Sequence, residues 1–134
     1  MDSIEIALTT GDRLFTDLTA EIARFCAGRG DGLCSVFVPH ATAGVAIFET
    51  GAGSEEDLAL ILESVLPRDA PYSHRHGSPG HGRDHVLPAF IAPSMTIPVL
   101  DGHLTLGTWQ SIVLVDSNVD NPQRQVRLSF LSSA

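Results

Sequence analysis

Histidine is the residue type in this sequence whose number and spacing point most directly to chemistry. Four of the six histidines fall within twelve positions of one glycine-rich stretch, namely His74, His76, His81 and His85. Neutral imidazole is the commonest protein ligand for zinc and related metals, and glycines let a backbone bend several imidazoles toward one point. We therefore favour an ordered site for a divalent metal over a solvated loop that is merely rich in histidine.

Three further residues outside this stretch are candidates for a site. His40 follows an apolar strand pattern, where its side chain can project over a sheet edge. Glu49 ends the next predicted strand, and it is either a general base or water-mediated metal ligand, or an ordinary carboxylate facing solvent. Trp109 is the only tryptophan, and it either walls a pocket or anchors the core in a turn. His103 follows a hairpin turn and is expected at the surface.

The charge balance excludes several classes of function. Eight arginines, no lysine and sixteen acidic residues give a formal net charge of −8. Nucleic acids and anionic membranes are disfavoured partners, because both require a basic face. Schiff-base catalysis and phosphate binding by a P-loop are excluded, because both require lysine. No apolar stretch has the length of a membrane span and the acidic N-terminus lacks signal-peptide features, so we expect a cytoplasmic protein whose Cys26 and Cys34 are buried free thiols.

The apolar spacing predicts the elements that must position these residues. Two main helices are predicted, one over residues 17–29 with Thr16 as N-cap and one from a capping Ser54 to a stop at Pro67. Strands are predicted at 3–9, 33–39, 43–48, 95–100, 103–106, 111–115 and 125–130. Residues 68–84 show no period and are predicted as a loop, followed by a short helix or turn over 85–91.

This order of elements predicts a single domain over residues 1–134 with an α+β fold. We expect a mixed, mostly antiparallel sheet or sandwich, with the two main helices packed on one side. A length of 134 residues and 43% hydrophobic residues suffice for one core but not for two independent ones.

Several of these motifs together resemble the YjbQ family, otherwise of uncharacterised function. Residues 39–44, Pro-His-Ala-Thr-Ala-Gly, are similar to its histidine–small–Thr–Ala–Gly motif, and Glu49 matches the acidic residue that follows. Residues 72–74 match its tyrosine–any–histidine, and His85 matches the histidine that closes the loop. Residues 106–110, Leu-Gly-Thr-Trp-Gln, match its most distinctive segment. The resemblance covers residues 4–130 with the motifs in order.

The resemblance implies an α+β fold, commonly a homotrimer, with a histidine-lined metal site near the subunit boundary. Transferred to this sequence, it implies His40, His74 and His85 as metal ligands. His76 and His81 are additional histidines of this chain, and either could substitute for His74 as a ligand. Imidazole ligands favour zinc as the metal, with magnesium or another divalent ion as alternatives. The implied catalytic residues are Glu49, Trp109 and Gln110.

The family also carries the name secondary thiamine-phosphate synthase. The chain would then be a transferase that joins hydroxymethylpyrimidine diphosphate to a thiazole phosphate, so its partner would be a small phosphorylated heterocycle. Two alternatives stay open: a metal-dependent hydrolase with Glu49 as base, and a non-enzymatic trimeric module that binds a metal or ligand. The sequence departs from the family pattern at residues 120–123, where an expected arginine is displaced to Arg124 or missing.

Overall fold

The computed structural model describes residues 1–133, and it contains eight strands and three helices in that range. The strands are β1 (Asp2–Thr9), β2 (Phe15–Asp17), β3 (Gly32–Phe37), β4 (Ala43–Phe48), β5 (Ser94–Leu100), β6 (His103–Leu104), β7 (Ser111–Asp116) and β8 (Gln123–Ser132). The helices are α1 (Thr19–Cys26), α2 (Ser54–Val65) and α3 (Gly82–Phe90). The predicted α+β class is confirmed.

The strands form two antiparallel sheets. The larger sheet has five strands in the order β1-β8-β3-β5-β6, and the smaller has three in the order β2-β7-β4. β8 pairs with both β1 and β3, which brings Val126 opposite Ile6 and Leu128 opposite Val36. This register places the apolar residues of the two strand pairs on one face, toward the core.

A first apolar cluster fills the space between the two sheets and α1. Its buried residues are Leu18, Ile22, Phe25, Cys26, Cys34, Val36, Val38, Ala43, Val45, Ile97, Val99, Ile112, Leu114, Val126, Leu128 and Phe130. Alternate residues of β8 enter this cluster while Arg127 between them stays exposed, as expected for a strand with one buried face. Cys26 and Cys34 are buried free thiols, which confirms the prediction.

A second cluster covers the opposite face of the smaller sheet. Val115 of β7 packs there against Leu62 and Leu66 of α2 and its C-terminal cap, and against Leu87 of α3. Because β7 contributes Ile112 and Leu114 to the first cluster, it is covered on both faces, and this explains its continuous apolar sequence. α2 and α3 therefore form an outer layer on the smaller sheet, and α1 packs its buried face against the first cluster.

Two helix starts differ from the predictions. Thr16 lies in β2, paired with Leu114, and α1 begins at Thr19 with Leu18 as N-cap residue. The Asp17 side chain instead accepts a hydrogen bond from the Thr19 N–H. Ser54 is the first residue of α2, and Gly53, at φ 100°, occupies the N-cap position without a side-chain cap. At α1 a carboxylate thus replaces the expected hydroxyl as acceptor, and at α2 no side chain caps the helix start.

The predicted loop ends earlier than expected. α3 begins at Gly82 and runs to Phe90, so His85 lies on a helix and His81 is the N-cap residue. Among residues 1–133, no helix combines the length and apolar character needed to cross a bilayer.

Candidate metal site

The clustered histidines belong to one continuous stretch that ends in α3. His74 and His76 lie in the loop, His81 occupies the N-cap position of α3, and His85 follows one helical turn later. Because residues four apart lie on the same side of a helix, His81 and His85 face in one direction. The loop must then only fold back to bring His74 and His76 to that side.

α3 is held close to the smaller sheet, which fixes where His85 lies. A Cβ added at Gly44 of β4 would lie 1.9 Å from the carbonyl oxygen of Ile91, so this close approach requires glycine. The Val45 N–H donates to the Ala92 carbonyl at 2.9 Å just beyond the end of α3. The helix that carries His85 is therefore docked by backbone contacts to β4.

The four imidazole rings of His74, His76, His81 and His85 form one cluster. The ring centroids of His74 and His76 lie 3.8 Å apart, and those of His74 and His85 lie 4.2 Å apart. One nitrogen each from His74, His76 and His85 falls within 4.8 Å of the other two. His81 joins through its Nε2, which is 3.2 Å from Nε2 of His85. We call these residues the imidazole cluster.

A buried acid lies behind the imidazole cluster. The Asp84 side chain is fully buried, and its Oδ2 lies 3.0 Å from Nδ1 of His81. Its Oδ1 accepts hydrogen bonds from the Ser117 hydroxyl at 2.7 Å and from Arg68 at 3.1 Å. Asp120 lies 3.4 Å from the same nitrogen of His81. The carboxylates therefore contact the cluster through Nδ1 of His81.

The protonation of the imidazole cluster suits metal binding. Burial lowers the pKa of His74, and the nearby imidazoles of His76 and His81 lower it further. Burial and the imidazoles around it likewise lower the pKa of His85. Both rings are therefore neutral at neutral pH, and a neutral ring can offer a nitrogen lone pair to a metal.

The orphaned nitrogen of His74 supports the same interpretation. His74 Nδ1 is buried and has no hydrogen-bond partner within the described part of the chain. A buried polar atom without a partner is costly, and such an atom in a native protein commonly marks the binding place of an ion or water or a functional role. The donor set consists of imidazole nitrogens, which suits zinc, copper, nickel or iron better than magnesium, an ion that prefers oxygen.

His40 has a different environment from the imidazole cluster. Its Nε2 accepts a hydrogen bond from the Gln125 N–H at 2.9 Å, on the neighbouring strand β8. Burial and the positive charge of Arg124 lower its pKa. Within one chain, the structure thus brings together His74, His85 and the additional His76, but it does not place His40 in that group.

The other predicted site residues lie at the far end of the smaller sheet. Glu49 and Gln110 adjoin the pair Phe48 and Ser111, whereas Asp84 contacts Ser117 just past the other end of β7. The six residues of β4 separate these ends by roughly 17 Å at about 3.3 Å per residue. Trp109 is 73% exposed, and the Gln110 side chain accepts a hydrogen bond from the Gly107 N–H.

The residues that sequence reasoning missed are the partners of the imidazole cluster. Asp84 follows His81 at the i,i+3 spacing of helix neighbours, a signal that becomes readable only once the helix is known to include residue 84. Asp120 has no spacing that relates it to His81. Arg124, considered as an anion clamp, is buried and donates to Asp116 at 2.6 Å and to Thr42 at 2.7 Å. It therefore joins the ends of two strands and a loop, and those donor groups do not face a ligand.

The two antiparallel sheets and the imidazoles grouped before a short helix define the class: a small α+β protein with a histidine-lined candidate metal site. The chain belongs to the UPF0047 protein YjbQ-like family, whose sequence profile matches residues 4–133. It is 62% identical to UPF0047 protein Rv2556c of Mycobacterium tuberculosis over 98% of each chain.

Solved structures share the same fold. A hypothetical protein from Aeropyrum pernix K1 is 31% identical, with a TM-score of 0.88 over 99% of this chain and 100% of that one. A YjbQ/UPF0047 protein from Clostridium acetobutylicum is 31% identical, with a TM-score of 0.84 over 96% of this chain and 99% of that one. The names of these relatives give a family and no activity, so function has to be inferred from the site.

Proposed function

We propose that this protein binds one divalent metal ion per chain through the imidazole cluster, with zinc as the favoured ion. The supporting observation is that nitrogens of His74, His76 and His85 fall within 4.8 Å of one another while one of the cluster's nitrogens is buried without a partner. His76 replaces His40 in this ligand set, because the His40 Nε2 lone pair is used by Gln125. Bound metal would supply charge neutralisation for an anionic group.

The test is the metal content per chain, measured by plasma mass spectrometry on tag-free protein after reconstitution with zinc. We expect near-stoichiometric zinc in the parent protein and little in the double variant His74→Ala/His85→Ala. His103→Ala is the matched control, because His103 is exposed on the hairpin and outside the cluster. Negligible zinc in the reconstituted parent would overturn the proposal.

The finer proposal is a transferase of the thiamine-phosphate type, which rests on the resemblance of the motifs. In that reaction Trp109 would stack on a heteroaromatic ring, and Glu49 or a histidine would move a proton. Both Glu49 and Trp109 lie at the other end of the smaller sheet from the imidazole cluster. A shared site therefore needs a second subunit, which agrees with the homotrimer that the resemblance implies.

Release of pyrophosphate from hydroxymethylpyrimidine diphosphate, in the presence of a thiazole phosphate, tests the transferase directly. Zinc-loaded protein should form product, and Glu49→Gln should lose turnover with its zinc retained. A second candidate, a metal-binding module without catalysis, is favoured by the separation of Glu49 from the imidazole cluster within one chain. It predicts stoichiometric zinc and no product from either phosphorylated heterocycle.

A further inference from the structure

His81 differs from the other members of the imidazole cluster because both of its ring nitrogens have defined neighbours. Its Nε2 lies 3.2 Å from Nε2 of His85, and its Nδ1 lies 3.0 Å from Asp84 and 3.4 Å from Asp120. The ring itself is buried. It is therefore held in one orientation from two sides.

The carboxylates decide which nitrogen of His81 has a free lone pair. An ionised carboxylate only accepts hydrogen bonds, so the hydrogen of a neutral His81 ring lies on Nδ1. Nε2 of His81 then presents its lone pair toward His85. A carboxylate behind a histidine, with the other ring nitrogen aimed at the metal, is the usual arrangement around metal-ligating histidines.

The position of Asp84 is fixed independently of His81. Its other oxygen accepts from the Ser117 hydroxyl and from Arg68, and Arg68 also donates to the Ser117 carbonyl at 2.9 Å. Asp120 is likewise fixed, because its carboxylate accepts the Ser78 N–H at 3.0 Å. Both acids are therefore positioned by the fold before any metal binds.

The distance between His81 and His85 matches two ligands of one ion. Zinc binds imidazole nitrogen at about 2.0–2.1 Å in tetrahedral sites, so adjacent ligand nitrogens lie about 3.4 Å apart. The two Nε2 atoms are separated by 3.2 Å. For both Nε2 atoms to bind the ion, the hydrogen of a neutral His85 ring must lie on its Nδ1, as it does on His81.

We propose that His81 is a ligand of the same metal ion, and that Asp84 is the residue that positions it. This inference rests on the proposed metal-binding function and adds a fourth imidazole to His74, His76 and His85. A centre with four imidazoles selects ions that accept four nitrogen ligands, such as zinc, and excludes magnesium. An open position for substrate would then require that one ligand leave, and the exposed His76 is the candidate.

Cobalt(II) is the probe for this proposal, because its visible absorption reports the number and type of ligands. Metal-free parent protein, His81→Ala and Asp84→Asn are titrated with cobalt(II), followed by competition with zinc. We expect a four-coordinate spectrum for the parent, and for His81→Ala a changed spectrum with at least tenfold weaker zinc binding. Asp84→Asn should retain the spectrum and lose roughly 10–100-fold in affinity, the usual effect of removing such a partner.

The outcomes separate the two proposals. An unchanged spectrum and affinity in His81→Ala, with stoichiometric binding in the parent, would remove His81 from the ligand set and leave the other three in place. No binding in the parent would overturn both. Thermal unfolding of each metal-free variant controls for folding, and if Asp84→Asn does not fold because Arg68 and Ser117 lose a partner, Asp120→Asn tests the carboxylate contact instead. His103→Ala should match the parent throughout.

Discussion

Single residues in the loop decide whether the imidazoles can approach one another, and Gly77 shows this most clearly. Gly77 has φ of 82°, and a Cβ there would lie 2.6 Å from both Asp120 Oδ2 and His81 Cδ2. We expect Gly77→Ala to weaken zinc binding at least tenfold, because the new methyl group must displace His81 or its carboxylate partner. Isothermal titration with zinc measures this effect.

Gly51→Ala is the matched control for Gly77→Ala. Gly51 has a similar φ of 84°, and a Cβ added there meets nothing within 4 Å. Both variants should lose about 1 kcal/mol of unfolding free energy through the strained backbone. Only Gly77→Ala should lose zinc affinity, and equal zinc affinities in the two variants would contradict the clash as the cause.

The environment of His40 predicts that the free energy of unfolding depends on pH. Burial and Arg124 lower its pKa in the folded state, so below the ordinary histidine pKa of about 6.5 the unfolded chain binds more protons than the folded one. The free energy of unfolding must therefore fall as the pH falls through this range. A proton on Nε2 would also remove the acceptor for the Gln125 N–H.

Urea unfolding of metal-free protein between about pH 7 and pH 5 tests the His40 prediction. His40→Gln keeps an acceptor without a titrating group, so its stability should decline less steeply than that of the parent. Some dependence of the unfolding free energy on pH should remain in His40→Gln, because the pKa values of His74 and His85 are also lowered. A slope unchanged in His40→Gln would show that His40 contributes nothing to the acid sensitivity.

Among the elements, β8 joins the two sheets through Arg124. Its guanidinium is buried and donates to Asp116 at the end of β7 and to Thr42 before β4. Replacing one partner of a buried ion pair leaves the other charge uncompensated, so we expect Arg124→Met to cost about 3–5 kcal/mol of unfolding free energy. Arg127→Met on the same strand removes an exposed ion pair with Glu5 and should cost less than about 1 kcal/mol. Similar losses of unfolding free energy in the two variants would show that burial of the ion pair does not determine its contribution to stability.

Some secondary-structure elements can be predicted from the sequence, and others cannot. The longer strands and both main helices are predicted because their apolar periods are local properties of a half-buried element. β2 was missed, since three residues are too few for a period and the strand exists only by pairing with β7. The same limit applies to the site. His74, His76 and His85 lie together in sequence, whereas Asp84 acquires Ser117 as a neighbour, and His81 acquires Asp120, only through folding.

At the scale of the whole molecule, the separation of Glu49 from the imidazole cluster leads to a prediction about assembly. If neighbouring subunits share the site, the protein in solution should be a homotrimer with three times the 14.3 kDa mass of the chain. Light scattering after size exclusion measures this mass, with and without zinc. A stable monomer with full zinc content would exclude a shared site and favour the non-catalytic metal-binding module.

Metal binding should also stabilise the whole fold, because the imidazole cluster joins α3 to the loop before it and contacts the segment after β7. A ligand that binds only the folded state at a hundredfold excess over its Kd adds about 2.7 kcal/mol to the unfolding free energy. We expect zinc to raise the melting temperature by several degrees, and a chelator to reverse the shift. Magnesium should produce no shift, since it takes oxygen ligands, and His74→Ala/His85→Ala should respond to neither ion. An equal shift with magnesium would point to the carboxylates rather than the imidazoles as the site of binding.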